Sequence, residues 1–286
     1  MLNIDLHCHS HVSDGVLSPA EVVTRAAANG VHVLALTDHD DVAGLAEAQL
    51  AADQAGITLI PGVEISVTWQ RRTVHIVGLR IDPLQPALAE GLHGIRVGRG
   101  LRAQRMSEDL ARHGIVGAYA GARDYAVNKE MIGRTHFARW LVQQGHVRDV
   151  RSAFKHFLTS SKPGYVEHEW TTLENAVSWI CASGGMAVLA HPGRYGLTTR
   201  QLHLLLDAFR DAGGEGIEVV TGSHHPSEYG KFADLARAFG LKASRGADFH
   251  APGEGIDLGR LPALPYYCKP VWQHWPEIEC LLAQTH

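Results

Sequence analysis

Nine residues of this chain could do metal chemistry: His7, His9, Asp14, His39, Glu64, His75, His191, Asp248 and His250. His7 and His9 close the apolar segment Asp5-Leu6-His7-Cys8-His9. On a β-strand, residues two apart point to the same side, so both imidazoles would project into one space with Asp5 behind them. Asp14 follows in Ser13-Asp14-Gly15. Later apolar runs end in Thr37-Asp38-His39-Asp40, Gly62-Val63-Glu64, Ala190-His191-Pro192 and Asp248-Phe249-His250. A single histidine at a strand end is ordinarily structural; the repetition is what implies a metal centre. Nine donors exceed the four that one tetrahedral zinc takes, so the set predicts two or three metals bridged by a carboxylate. Imidazole mixed with carboxylate suits Mn, Fe or Zn better than Mg or Ca, which prefer all-oxygen shells. Without a cysteine cluster, a structural zinc is not expected. Cys8 alternates away from the histidine pair and reads as a packing residue. Asp38 and Asp40 flank His39 on the opposite strand face and read as caps or orienting partners. Asp5 is placed to orient a ligand imidazole.

These positions need a scaffold that gathers strand ends. The N-terminal third alternates strand and helix: strands over Leu2 to His7 and Val31 to Thr37, a third that begins at Ile57 to Ile60 and ends in Gly62-Val63-Glu64, and a fourth over Val74 to Leu79. Between them, Ser18-Pro19-Ala20-Glu21 starts a helix that stops at Asn29-Gly30, and a second helix runs from about Val42 to Gly56. Ser at N-cap, Pro at N1 and Glu at N3 form a helix-start signature. Later strands are expected at Met186 to Ala190, Gly216 to Val220 and Leu241 to Ser244. This rhythm predicts an α/β barrel-like fold whose strand ends share one face. His75 begins its strand, so it joins the others only if that strand runs antiparallel to the preceding one across the Trp69-Gln70-Arg71-Arg72 turn. From Pro86 to about Pro163 the pattern is helical. The expected organisation is therefore a metal-binding barrel from residues 1–85 and 164–286, with 86–163 as an inserted helical subdomain covering the active site. The segment from Pro262 is Pro-rich and then helical.

The bulk numbers narrow the function classes. A net charge of -4 argues against duplex DNA as a partner but not against a small anion, because metals supply local positive charge. No apolar run approaches the roughly 20 residues of a membrane span, and Met1 leads directly into a strand pattern rather than a leader. Cys8, Cys181, Cys268 and Cys280 show no paired spacing and read as reduced thiols of a cytoplasmic protein.

Asp-Leu-His-Cys-His-Ser, Ser-Asp-Gly, Thr-Asp-His-Asp, Gly-Val-Glu, Ala-His-Pro-Gly-Arg and Gly-Ala-Asp-Phe-His, in this order, resemble the motifs of the PHP (polymerase and histidinol phosphatase) family over essentially the whole chain. Gly133-Arg134-Thr135-His136-Phe137-Ala138-Arg139 and Lys162-Pro163-Gly164-Tyr165 resemble its bacterial 3′,5′-nucleoside bisphosphate phosphatase branch, which includes 5′→3′ exoribonucleases. The resemblance implies a distorted seven-stranded TIM-like barrel and a two- or three-metal phosphoesterase, with Mn the first choice of metal. The expected reaction is removal of the 3′-phosphate from adenosine 3′,5′-bisphosphate by a metal-bound hydroxide. Glu64 would bridge two metals. His7, His9 and Asp248 would hold one, His75 and His191 the next, and Asp14, His39 and His250 a third. His191 is also a candidate acid for the leaving group. A second phosphate on the substrate calls for arginine, so Arg134 with His136, Arg194 and His224 are the candidate substrate contacts. Arg96, Arg99, Arg102 and Arg105 are read as a solvated helix face, and His225 as exposed. Tyr165 and Trp170 could stack on a base or simply pack. The expected partner is a small nucleotide or short single-stranded RNA. Exonuclease action on 5′-phosphorylated RNA, a histidinol-phosphatase-like activity and a non-catalytic metal-binding module remain as alternatives; the sequence leaves the oligomeric state open.

Overall fold

The computed structural model describes residues 2–284; Met1, Thr285 and His286, at the two ends of the expected barrel segments, lie outside the described residues. Seven strands follow one another in space as in sequence: β1 (Ile4–Asp5), β2 (Val33–Leu36), β3 (Thr58–Trp69), β4 (Arg72–Leu79), β5 (Met186–Leu189), β6 (Gly216–Thr221) and β7 (Lys242–Gly246). The edges meet through Leu6 N donating to Arg245 O at 2.9 Å and Asp248 N donating to His7 O at 2.8 Å, so the sheet nearly closes into a barrel. The pairs β1–β2, β2–β3, β5–β6 and β6–β7 are parallel, and β4 runs antiparallel to both β3 and β5.

Two strands differ most from the sequence expectation. The first is regular only at Ile4–Asp5, and His7 and His9 flank an isolated bridge between Cys8 and Phe249 beyond it. The third begins where expected and passes through Gly62-Val63-Glu64, but it runs on to Trp69, because residues 62–69 pair with β4 across a two-residue hairpin. Gln70 and Arg71 both adopt positive φ (45° and 61°), the backbone that matches strand twist in tight hairpins. This hairpin sets Ser66 opposite His75 and brings His75 to the same end as Glu64.

Helix α1 (Pro19–Ala28) begins with the full capping box: Ser18 accepts from Glu21 N, and the Glu21 carboxylate accepts from Ser18 N. Helix α2 (Leu45–Ala55) ends on Gly56 at φ 69°, as glycine permits. Leu34, Leu36, Leu189 and Ile217 pack outward with these helices and with α7 (Leu173–Ala182), α8 (Thr199–Asp211) and α9 (Tyr229–Ala238). The alternate residues Val33, Ala35, Val77 and Val188 fill the barrel interior, plugged by Trp275 and by Ile278 of α10 (Pro276–Gln284).

Between β4 and β5 come α3 (Pro86–Arg112), α4 (Ala118–Tyr125), α5 (Arg134–Gln143), α6 (Val150–Ala153) and a π-helical turn over Phe154–Leu158. Their apolar faces form a separate core around Met106, Leu110, Phe137, Trp140 and Leu158. The buried stripe of α3 reads Leu88, Leu92, Ile95, Arg99, Arg102, Met106, Leu110, one helical face at the i, i+3/i+4 spacing. Two arginines thus occupy positions on the covered face.

Candidate metal centre

All nine sequence-selected donors meet at one end of the barrel. Glu64 is at their middle, fully buried on β3. Its Oε1 lies 2.9 Å from His75 Nδ1 and 2.8 Å from His191 Nε2. Its Oε2 lies 2.8 Å from His39 Nδ1, 3.3 Å from His9 Nε2 and 3.4 Å from His7 Nε2. Asp248 Oδ1 is 3.5 Å from His7 Nε2 and 3.3 Å from His9 Nε2. Asp14 Oδ1 is 3.3 Å from His250 Nε2 and 4.0 Å from His39 Nε2.

The donors fall into overlapping clusters whose ligand atoms lie within 4.8 Å of one another: His9, Asp14, His39 and His250; His7, His191 and Asp248; His7, His9 and Glu64; His39, Glu64 and His75. This partition differs from the expected one in three places: His9 also lies with the Asp14 group, His191 also lies with His7 and Asp248, and His39 also lies with Glu64 and His75.

The donor set fits divalent metals on its own chemistry. Asp14 Oδ1, Glu64 Oε2 and Asp248 Oδ1 are buried without a hydrogen-bond partner, as are His39 Nδ1 and His191 Nδ1. Buried acceptors left unpaired are costly, and cations between them would satisfy several at once. His7 Nε2 and His9 Nε2 face each other at 3.1 Å, an arrangement in which at most one proton fits between two lone pairs.

Electrostatics in the cluster are mutual. Burial alone would raise Glu64, but His39, His75 and His7 outweigh it and hold its carboxyl well below the usual range. Asp248 and Asp14 are held low against burial in the same way, by His7 and His9 and by His250 and His39 respectively. Burial, with His250 and His39 nearby, pushes His9 down to about 3; burial likewise takes His75 to about 4 despite Glu64. His250 is pushed down by burial but lifted further by Asp14, to about 9.

A supporting layer orients these donors. Glu218, which sequence reasoning passed over, accepts from His191 N at 2.6 Å and lies 2.7 Å from His7 Nδ1. Its signal was a lone carboxylate inside the apolar run Gly216-Ile217-Glu218-Val219-Val220. Asp38 accepts from Ser10 N, Ser10 Oγ and Ser13 Oγ; Asp40 accepts from Ser66 and from Arg99. Asp5 does not back an imidazole: its two oxygens accept from Ala247 N and Gly259 N, tying β1 to the chain after β7. Asp40, His191 and Asp248 hold positive φ values of 47°, 23° and 54°. Such non-glycine backbone is uncommon, costs energy, and clusters at functional sites.

A cavity opens above the donors. Asp14, His39, His75 and His250 floor it, and Arg99, Arg102, Gly133, Arg134, Phe154, Trp170 and Arg194 line its sides and roof. The helix α3 arginines are therefore not one solvated face. Arg99 and Arg102 are buried, Arg96 is half-buried and donates to Asp40 O, and Arg105 is exposed, as is Arg112 at the end of the helix. The reason is that α3 lies across the barrel mouth. Arg99 is ion-paired with Asp40 and stacks 4.7 Å from the Trp170 ring centre. Arg102 stacks on the same ring at 5.3 Å and donates to Val166 O, and among the described residues no carboxylate pairs with it. Burial and the neighbouring Arg134 and Arg99 charges push Arg102 down to about 9.

The other proposed substrate contacts separate. Arg134 reaches the cavity, 5.7 Å above the Phe154 ring. Arg194 lines the rim, with Nη1 3.0 Å from Asp248 Oδ2. His136 and His224 do not line the cavity. His136 Nδ1 accepts from Gly133 N and closes the first turn of α5. His224 Nε2 accepts from Gly193 N and its ring stacks on Phe232 behind the His191 turn. Trp170 lines the cavity, Tyr165 stands beside Arg102, and His225 is exposed.

Comparison with known proteins agrees with this geometry. The PHP domain model matches residues 5–221. A 3′,5′-nucleoside bisphosphate phosphatase of Chromobacterium violaceum is 55% identical over 96% of this chain and 96% of its own length. A 5′-3′ exoribonuclease of Haemophilus influenzae is 43% identical over 94% of this chain and 97% of its own. The solved structure of an amidohydrolase from Chromobacterium violaceum, with sulfate bound and no metal, superposes at a TM-score of 0.93 with 54% identity, covering 97% of this chain and 96% of that one.

Proposed function

The chain belongs to the PHP domain family, and from that premise we propose that it is a metal-dependent phosphatase that converts 3′,5′-bisphosphonucleosides to the 5′-monophosphate and inorganic phosphate. The single observation that carries this reading is one cavity that has four of the nine donors, Asp14, His39, His75 and His250, at its floor and the Arg99, Arg102 and Arg134 guanidinium groups at its roof. Neither half alone specifies a substrate with two phosphates.

On this reading residues 1–85 and 164–286 supply the metal-binding barrel, and residues 86–163 the cover. Glu64 is the shared ligand; His7, His9, Asp14, His39, His75, His191, Asp248 and His250 complete two or three sites, with Mn the preferred occupant. Bound metals would provide a nucleophile at neutral pH and neutralise charge on the phosphoryl oxygens. Glu218 orients His7 and the His191 backbone. Arg134 and Arg102 bind the phosphate that is not cleaved, and Arg102 is suited to this because its buried charge otherwise lacks an anion. Arg194 holds Asp248 and reaches the phosphate at the rim. Trp170, already stacked with two guanidiniums, bounds the space for the nucleoside. A cytoplasmic setting suits this chemistry.

The test is to load the protein with Mn²⁺ and follow phosphate release from adenosine 3′,5′-bisphosphate. AMP plus phosphate is the expected pair, and no turnover with Mn, Fe, Co or Zn would overturn the proposal. The relation to the Haemophilus exoribonuclease favours a second activity on short RNA. A 5′-phosphorylated oligonucleotide, degraded one nucleotide at a time from its 5′ end, would reveal it.

A further inference from the structure

Asp14 is held from two sides. It lies in the turn after β1, yet its Oδ2 accepts a hydrogen bond at 2.9 Å from Thr135 Oγ1, 121 positions away on α5. Its Oδ1 is buried, has no hydrogen-bond partner, and points to His250. His9 and His39 complete that cluster. The two oxygens thus have separate roles: one is fixed by the helical cover, the other is free to bind.

The first turn of α5 is built to hold this contact. His136 Nδ1 accepts from Gly133 N and locks the turn. Phe137, Ala138 and Leu141 anchor α5 in the core of the helical segment. Arg134, one residue before Thr135, lines the cavity. One helical turn therefore presents an anion contact and a hold on a candidate metal ligand. Partners that orient ligands typically change metal affinity by about 10–100-fold.

We propose that Thr135 is a positioning residue for the metal site formed by His9, Asp14, His39 and His250, and that this site binds tightly only while α5 is seated on the barrel. The inference rests on the metal reading given above. The remaining clusters lack such a tie, because their carboxylates, Glu64 and Asp248, are held by barrel residues and by Arg194 and Ser223. The helical cover would therefore govern one metal and leave the others in place.

The experiment is a Mn²⁺ titration of the full-length protein, read from the EPR signal of free Mn²⁺ and checked by bound metal per chain. Thr135→Val removes the hydroxyl and keeps the shape; Thr135→Ala is the second hydroxyl-free variant should valine disturb the turn. The expected result is weakening of one Mn²⁺ equivalent by about 10–100-fold, with the others unchanged and Thr135→Ser restoring it. Wild-type binding in the hydroxyl-free variants would overturn the proposal. So would equal weakening of every equivalent, or failure of Thr135→Ser to restore binding. Asp14→Asn separates the two levels of the argument. If it loses one equivalent while Thr135→Val keeps all, only the positioning role fails. If Asp14→Asn also keeps all, the metal assignment of this cluster fails with it.

Discussion

On the barrel floor, every carboxylate in the cluster faces imidazoles, and Glu64 lies 2.8 to 3.4 Å from five of them. On the cover, Arg102 and Arg134 are drawn together against their mutual repulsion, and among the described residues no carboxylate pairs with Arg102. The floor has donors awaiting cations and the cover has cations awaiting an anion. A metal-bound phosphate ester satisfies both, which is why the cavity between them carries the functional argument.

The contrast can be broken from either side. The largest effect is expected at its centre. Glu64→Gln keeps the shape but removes the charge that two of the four clusters share, and should cost at least about 10³-fold in turnover together with bound metal. Metal content by mass spectrometry and phosphate release measure the two losses; full activity would rule out the bridging role. On the cover, Arg102→Ala and Arg134→Ala should each lower kcat/KM for bisphosphates by roughly 10–100-fold, as for lost hydrogen bonds to charged groups. The same variants should change a generic phosphomonoester little. Equal losses on both substrates would mean that the arginines do not read the second phosphate.

Smaller effects sharpen the comparison. Glu218→Gln should weaken metal binding by about 10–100-fold while leaving the arginine-dependent preference for bisphosphates intact; a changed preference would show that floor and cover are not separable. The cover also carries its own acid sensitivity. Burial, aided by Arg139 and Arg99, lowers His136 from 6.5 to about 4. The folded state therefore favours neutral His136, and its contribution is fully present above pH 6.5. It is lost as pH falls from 6.5 toward 4, because the unfolded chain takes up the proton first, to a limit of about 3 kcal/mol. Thermal melts of chelator-treated protein across this range should show a shallower pH slope for His136→Gln, which keeps an acceptor for Gly133 N. An unchanged slope would assign the acid sensitivity to other groups.

The floor was the legible half. Short apolar runs ending in His or Asp carry a strand reading and a ligand reading at the same residues, so placing one places the other. The α1 capping box and the hairpin that brings His75 to Glu64 were readable for the same local reason. The cover was harder to read. Arg96, Arg99, Arg102 and Arg105 sit within ten residues of one helix, and nothing in their identity says which face is covered. The stripe that runs through Leu92, Ile95, Arg99, Arg102 and Met106 would have shown it, had the arginines been allowed to continue an apolar face. Glu218 was missed because a lone acid in a buried strand has no motif.

The sequence by itself determined the donors, their order along the chain and the alternation that makes a barrel, because these depend on residue type and short-range periodicity. Tertiary structure alone decided which donors share a cluster, that Glu64 lies at their middle, and that His136 and His224 accept from backbone N–H groups outside the cavity lining. It also decided that Arg102 is buried with no acid paired to it among the described residues and that Thr135 reaches Asp14. Each of these is a contact between segments far apart in the chain, set by how α3 and α5 pack across the barrel mouth, and no local pattern encodes that placement.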